Sequence, residues 1–219
     1  MGLKEMLMTY LKQSIWIIFV AIIGTGVAVA TEEAKYNVVF KDDIFEMRAY
    51  EPHMVAETIV DGDFEDAGSN AFKRLFKYIT GNNTSQQDIA MTAPVTQGTE
   101  GENIDMTSPV GQQGDNGLWT VSFMMPASYS AQTLPQPKDP KVVLRQVPAQ
   151  YMVSIEYSGF WSEKNYISNK EKLDAWIKKN SFKVTGEPLW ARYNDPFTLW
   201  FLRRNEILIP VENPPAKSE

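Results

Sequence analysis

The chain has 219 residues, 43% of them apolar and 22% charged, which suits a packed core of one ordinary domain or two small lobes and not a disordered chain. A net charge of −6 without any run of Lys or Arg argues against a nucleic-acid partner, which needs a basic footprint. Cysteine is absent, so disulfides, zinc-thiolate sites, iron–sulfur clusters and thiol nucleophiles are excluded.

Residues 1–14 are mildly charged, and an apolar run opens at Ile15 and continues through Val29. Ala28-Val29-Ala30 before Thr31 has the small-x-small form of a signal-peptidase site. The run is shorter than the about 20 residues of a bilayer-spanning helix. We read 1–30 as an export signal, with an uncleaved N-terminal anchor through 15–29 as the alternative. A domain is expected over 31–212 and a frayed tail over 213–219.

Residues 36–40 and 44–50 read as extended, with Asp42-Asp43 as the turn between them. Over 54–60, Val55, Glu57 and Ile59 alternate against Met54, Ala56, Thr58 and Val60, which predicts a strand with two unlike faces. Asp63 is a candidate N-cap. From 64 to 79, Ala67, Ala71, Phe72, Leu75, Phe76 and Ile79 recur at helical spacing, and Gly81 ends the helix.

Ile89-Ala90-Met91-Thr92-Ala93-Pro94-Val95 is echoed by Ile104-Asp105-Met106-Thr107-Ser108-Pro109-Val110. Each is a strand-like run closed by proline, which lacks a ladder donor and so belongs at a strand end or sheet edge. Asp115-Asn116-Gly117 predicts a hairpin turn into a strand over 118–125. Residues 126–140 form a proline-rich linker. Strands are expected over 142–147, 151–157, 189–193, 197–202 and 206–210, with a second helix over 162–179 whose stripe is Tyr166, Leu173, Trp176 and Ile177. Tyr50, Pro52, a strand, Gly62 and a helix are answered about 97 residues later by Val147, Pro148, a strand, Gly159 and a helix, an approximate duplication and not a solenoid. Antiparallel strands with one helix per half give an α+β class.

The Met-Thr-Ala-Pro-Val and Met-Thr-Ser-Pro-Val pair resembles the signature of the SOUL/haem-binding protein family. Phe45-Glu46-Met47-Arg48-Ala49-Tyr50, the Pro135 to Pro140 linker, and Ala191-Arg192-Tyr193-Asn194-Asp195-Pro196 followed by Arg203-Arg204-Asn205-Glu206 stand in that family's order. The resemblance implies a distorted antiparallel β-barrel or sheet of about eight strands with two helices, like the gyrase-inhibitor-type ligand-binding fold. It also implies non-covalent binding of haem or another tetrapyrrole, without chemical turnover, for carriage, buffering or sensing. The alternative is a module for another apolar small ligand or a protein partner; a small hydrolase needs a pocket-facing Glu-Tyr pair.

His53 is the only histidine, so two-His metal sites are impossible. In the family branch with an axial histidine, that residue lies between the Arg and Tyr of Arg-x-Tyr, where this chain has Ala49. His53 is therefore read as a partly exposed structural residue, with iron ligation as the alternative. The branch that lacks this ligand implies a site on the first helix, which places Phe72 and Phe76 at the apolar contacts, Lys77 at a cation and Ser69 where an Arg would stand. The plainer reading makes Phe72 and Phe76 core. Met91 and Met106 are candidate thioether ligands, with packing the first reading. Arg192, Arg203 and Arg204 are expected to form ion pairs with Glu206, and Arg203 with Arg204 could instead meet an anionic ligand. Glu57, Asp61, Asp63, Glu65 and Asp66 complement the start of the first helix, with general acid-base work as the alternative.

Overall fold

The computed structural model describes residues 31–85, 101–115 and 117–213. The chain divides into two compact units, 1–30 and 31–219, and the fold below is that of the second. The expected signal or anchor, the Ile89 to Val95 run with Met91, and residues 214–219 lie outside the described residues.

Among the described residues, eleven strands and two helices follow one another as β1 (Tyr36–Asp42), β2 (Phe45–Tyr50), β3 (His53–Asp61), α1 (Phe64–Ile79), β4 (Asn83–Thr84), β5 (Val110–Asp115), β6 (Leu118–Met124), β7 (Gln136–Pro137), β8 (Val143–Val147), β9 (Gln150–Tyr157), α2 (Glu163–Lys179), β10 (Leu189–Arg192) and β11 (Asn205–Val211). Nine of the strands form one curled antiparallel sheet in the order β1-β2-β9-β11-β10-β5-β6-β3-β8, and β4 pairs with β7 apart from it. The α+β expectation holds, with nine strands in place of about eight.

The duplication is visible in the backbone. Gly62 and Gly159 end β3 and β9 at φ of +130° and +129°, and each leads into a helix, a conformation open to glycine because it lacks Cβ. The helix starts differ. Ser162 accepts the Asn165 N–H on its side chain, whereas Asp63 caps α1 without a side-chain bond.

Side-chain alternation divides the sheet into two faces. On one, Ala56, Val60, Val121 and Phe123 pack with Ala67, Ala71, Leu75, Tyr78 and Ile79 of α1. On the same face, Met47, Val153, Ile155, Ile207 and Ile209 pack with Leu173, Trp176 and Ile177 of α2. Each large side chain so buried contributes about 1.5–3 kcal/mol. The opposite face carries Tyr50, Met152, Ala191 and Leu208.

Two expected strands are not strands. Residues 197–202 form a turn and a short 3-10 helix at Trp200–Leu202, because Asp195 caps the turn and Arg203 grips its carbonyls. The Ile104 to Pro109 run is irregular, making an isolated bridge at Ser108, and β5 begins only after Pro109.

Candidate functional site

Helix α1 has more aromatic surface than its contact with the sheet can cover. Phe72 is half-buried with its ring 5.3 Å from Phe123, and Phe76 stacks on Phe72 at 5.8 Å with the planes 13° apart. Phe76 remains 43% exposed, so the core reading holds for Phe72 in part and fails for Phe76. One helical turn is the reason: 72 and 76 share a stripe displaced from the 67, 71, 75 and 78 stripe that meets the sheet.

Lys77 stands beside this pair, exposed, and Lys73 stands one turn earlier. Neither forms an ion pair among the described residues, whereas Arg74 is turned to Thr58 at 2.8 Å and Asp139 at 3.5 Å. Lys73 went unnoticed in the sequence, although its spacing of four from Lys77 was the available signal. Ser69 is exposed on the same stripe and donates to the Glu65 carbonyl at 3.3 Å.

His53 is on the other side of the sheet. It shares a β3 face with Val55 and Glu57, while Met54, Ala56 and Val60 turn to α1. Its Nδ1 lies 3.1 Å from the Glu51 carbonyl, and burial, aided by the Arg145 charge, pushes its pKa below the ordinary value despite that hydrogen bond. The sheet thus separates His53 from Phe72, Phe76 and Lys77.

On this second face lies a cavity of about 260 Å³, lined by Tyr50, His53, Met124, Arg145, Met152 and Tyr193 among others. Behind its wall is a buried charge network. Arg48 Nη1 donates to Glu206 Oε2 at 2.6 Å and to the Tyr50 hydroxyl at 3.2 Å, Tyr193 donates to Glu206 Oε2 at 2.8 Å, and Arg204 Nη2 donates to Glu206 Oε1 at 2.8 Å. Burial opposes the charge on Arg48, but Glu206 outweighs it and holds the guanidinium above its usual pKa. Burial chiefly pushes Tyr50 up to about 12. The bonded Glu-Tyr pair is Glu206 with Tyr193, and Glu206 is fully buried, clamped by two guanidinium groups and absent from the cavity lining, whereas Glu33 and Glu187 line the cavity together with Tyr50 and Tyr193. Both Glu206 carboxylate oxygens are engaged, Oε1 by Arg204 and Oε2 by Arg48 and Tyr193.

Arg204 meets Glu206 as expected, but Arg192 and Arg203 form no ion pair among the described residues. Arg192 lies 4.7 Å from the Trp190 ring and donates to Gln112 at 3.3 Å; Arg203 lies 4.3 Å over Trp161 and bonds the Thr198 and Pro196 carbonyls. Met106 is 43% exposed, so packing does not account for it. Of the five carboxylates near the start of α1, Glu57 faces away and is held by Arg145 in a two-pronged pair at 2.8–3.0 Å.

Similar shapes among solved structures include the C-terminal domain of EcmrR, with TM-score 0.55 and 12% identity over 81% of this chain and 98% of that one. A hydrolase from Listeria innocua follows at TM-score 0.50 and 13% identity, covering 80% of this chain and 94% of that one. At such identities the likeness shows the fold alone. In sequence the chain is 26% identical to "Heme-binding protein 1" of Xenopus tropicalis over 174 residues, 75% of this chain and 87% of that protein. It is 29% identical to "Heme-binding protein 2" of Homo sapiens over 178 residues, 79% of this chain and 80% of that protein. The pattern of the family described as SOUL heme-binding protein matches residues 31–210. With most of its length so matched, the chain belongs to the SOUL heme-binding protein family.

Proposed function

We propose that this protein binds haem or a related tetrapyrrole on the exposed face of α1, without chemical turnover, for carriage, buffering or sensing. The observation that carries this reading is the Phe72–Phe76 stack with Lys73 and Lys77 beside it. A flat macrocycle laid on this pair would exchange exposed aromatic surface for contact, and the two ammonium groups suit propionates. The group itself would supply a planar apolar surface with two anionic arms and an iron centre. Among the described residues no imidazole reaches this face. Met106, an exposed thioether, lies three residues beyond Asn103, which bridges Thr80 at the end of α1.

The cavity on the other face does not suit the same ligand, because about 260 Å³ falls below the usual pocket range of about 300–1,000 Å³. It supports a second reading, in which a smaller, partly apolar ligand enters between Met124, Met152 and Tyr193. Export, or anchoring through residues 15–29, remains part of the proposal on the pattern of the N-terminal sequence. Haemin titration of the chain, followed by the Soret band, tests the main reading. A saturable one-to-one shift lost in Phe76→Asp supports it; absence of any saturable shift in folded protein overturns it and leaves the cavity reading.

A further inference from the structure

The loop between Asp195 and Arg203 carries an apolar surface that the α1 site does not use. Phe197 is 93% exposed and Leu202 64%, and Leu199, Trp200 and Phe201 are exposed between them. Phe160, itself 61% exposed, stacks on Trp200 at 5.3 Å and extends the patch. A contiguous apolar patch of this kind marks an interaction surface.

The loop is held in this form. Asp195 Oδ1 accepts the N–H groups of Phe197 and Thr198 at 2.8 and 3.0 Å, and the Gly159 N–H donates to the Trp200 carbonyl at 3.0 Å. Arg203 donates to the Thr198 and Pro196 carbonyls at 2.8 and 2.9 Å and lies over Trp161. With its carbonyls gripped from below, the loop turns its aromatic and leucine side chains outward.

A second observation bears on what they meet. Glu33 pairs with Arg204 at 2.9 Å, two residues after Leu202, so the chain enters the domain beside this loop. The apolar run of residues 15–29 stands just before that entry in sequence. We propose that Phe160 and the 197–202 loop dock into the interface of a lipid bilayer, with the apolar N-terminal stretch of the sequence as the second attachment. Aromatic side chains favour the headgroup boundary, and stable attachment takes two weak signals together. With a net charge of −6 and the Arg203 guanidinium turned onto Trp161, the surface suits zwitterionic lipid and not an anionic one.

Because the natural chain has no cysteine, a single introduced thiol labels one place. The full-length chain would carry a solvent-sensitive fluorophore at Leu199→Cys or at Lys178→Cys, the latter exposed in the last turn of α2, whose start at Ser162 is the end nearer Phe160. Each is mixed with phosphatidylcholine vesicles containing nitroxide lipids. The expected result is a blue shift and quenching at 199 with neither at 178, and a vesicle partition coefficient at least about tenfold lower in Phe197→Ser/Leu202→Ser. The proposal is overturned if the vesicle-bound chain leaves both labels in water, which would make the N-terminal stretch the sole attachment. It is equally overturned by failure to bind vesicles, or by a lipid-free, concentration-dependent shift at 199, which would identify a second copy as the occupant.

Discussion

Arg48 and Glu206 form a 2.6 Å ion pair across β9, from strands that both flank it, and the two side chains are 3% and 0% exposed. A buried pair of this kind owes its value to completeness, since removing one partner strands the other charge. Glu206→Gln is expected to cost about 3–5 kcal/mol, on the order of 10 °C in Tm for a domain of this size. Calorimetry checks it against Lys183→Ala, which breaks the exposed pair with Glu212 and should cost less than about 1 kcal/mol. Equal effects from the two changes would contradict this account of the pair.

Phe76 is exposed in the folded protein, so Phe76→Asp should leave Tm within about 2 °C while raising the haem Kd by roughly tenfold or more, the equivalent of losing one buried aromatic. Phe72→Asp should weaken binding and also destabilise, because Phe72 packs on Phe123. Lys73→Glu/Lys77→Glu should raise Kd by a few-fold, an effect that added salt diminishes, while leaving Tm nearly unchanged. Soret titration with thermal melts separates the three patterns.

His53 should be silent in haem binding, since the sheet stands between it and α1. Its trace should appear in stability. A histidine whose pKa is lower folded than unfolded takes up its proton more readily in the unfolded chain. Its contribution is therefore intact above about pH 6.5 and is lost as pH falls through that value and on through the folded one. Urea unfolding from pH 7.5 to pH 5 should show this slope in the natural protein and a shallower one in His53→Gln. Parallel curves would show that the environment of His53 does not differ between the two states.

Gly101 lies against the end of α1 so closely that a Cβ there would sit 1.6 Å from the Gly81 carbonyl oxygen. Gly101→Ala must move backbone, not a side-chain tip, and is expected to cost about 1–3 kcal/mol or more. Gly62→Ala meets no atom within 4 Å and tests backbone conformation alone. The denaturation midpoint should fall in both, with Gly101→Ala also weakening the Asn83 bonds to Glu102 as read by amide exchange.

What the sequence disclosed depended on whether the information was local. The bounds of α1 were legible because its apolar spacing spans four turns, and β3 because its two faces differ in polarity at every second residue. The 197–202 run misled because apolar composition cannot tell a buried strand from an exposed loop; Asp195 and Arg203, which make the difference, act from outside the run. The Arg48–Glu206 pair joins positions 158 apart, and no periodicity carries that information. At the α1 site the residue types were legible, but the exposure of Phe76 and the separation from His53 required the packed sheet.

Strand β3 is hydrogen-bonded on both edges, to β6 and to β8, which fixes its alternation twice. An inserted or deleted residue there would not remain a local defect, because it would turn the strand's inner set outward along its whole length. Glu57 would be thrust toward the α1 core, away from Arg145 on β8, and Ala56 and Val60 would be turned to the opposite face. The strand is in effect a partition wall between two rooms: substitutions that refit one chamber can accumulate without disturbing the other, provided the length of the wall never changes.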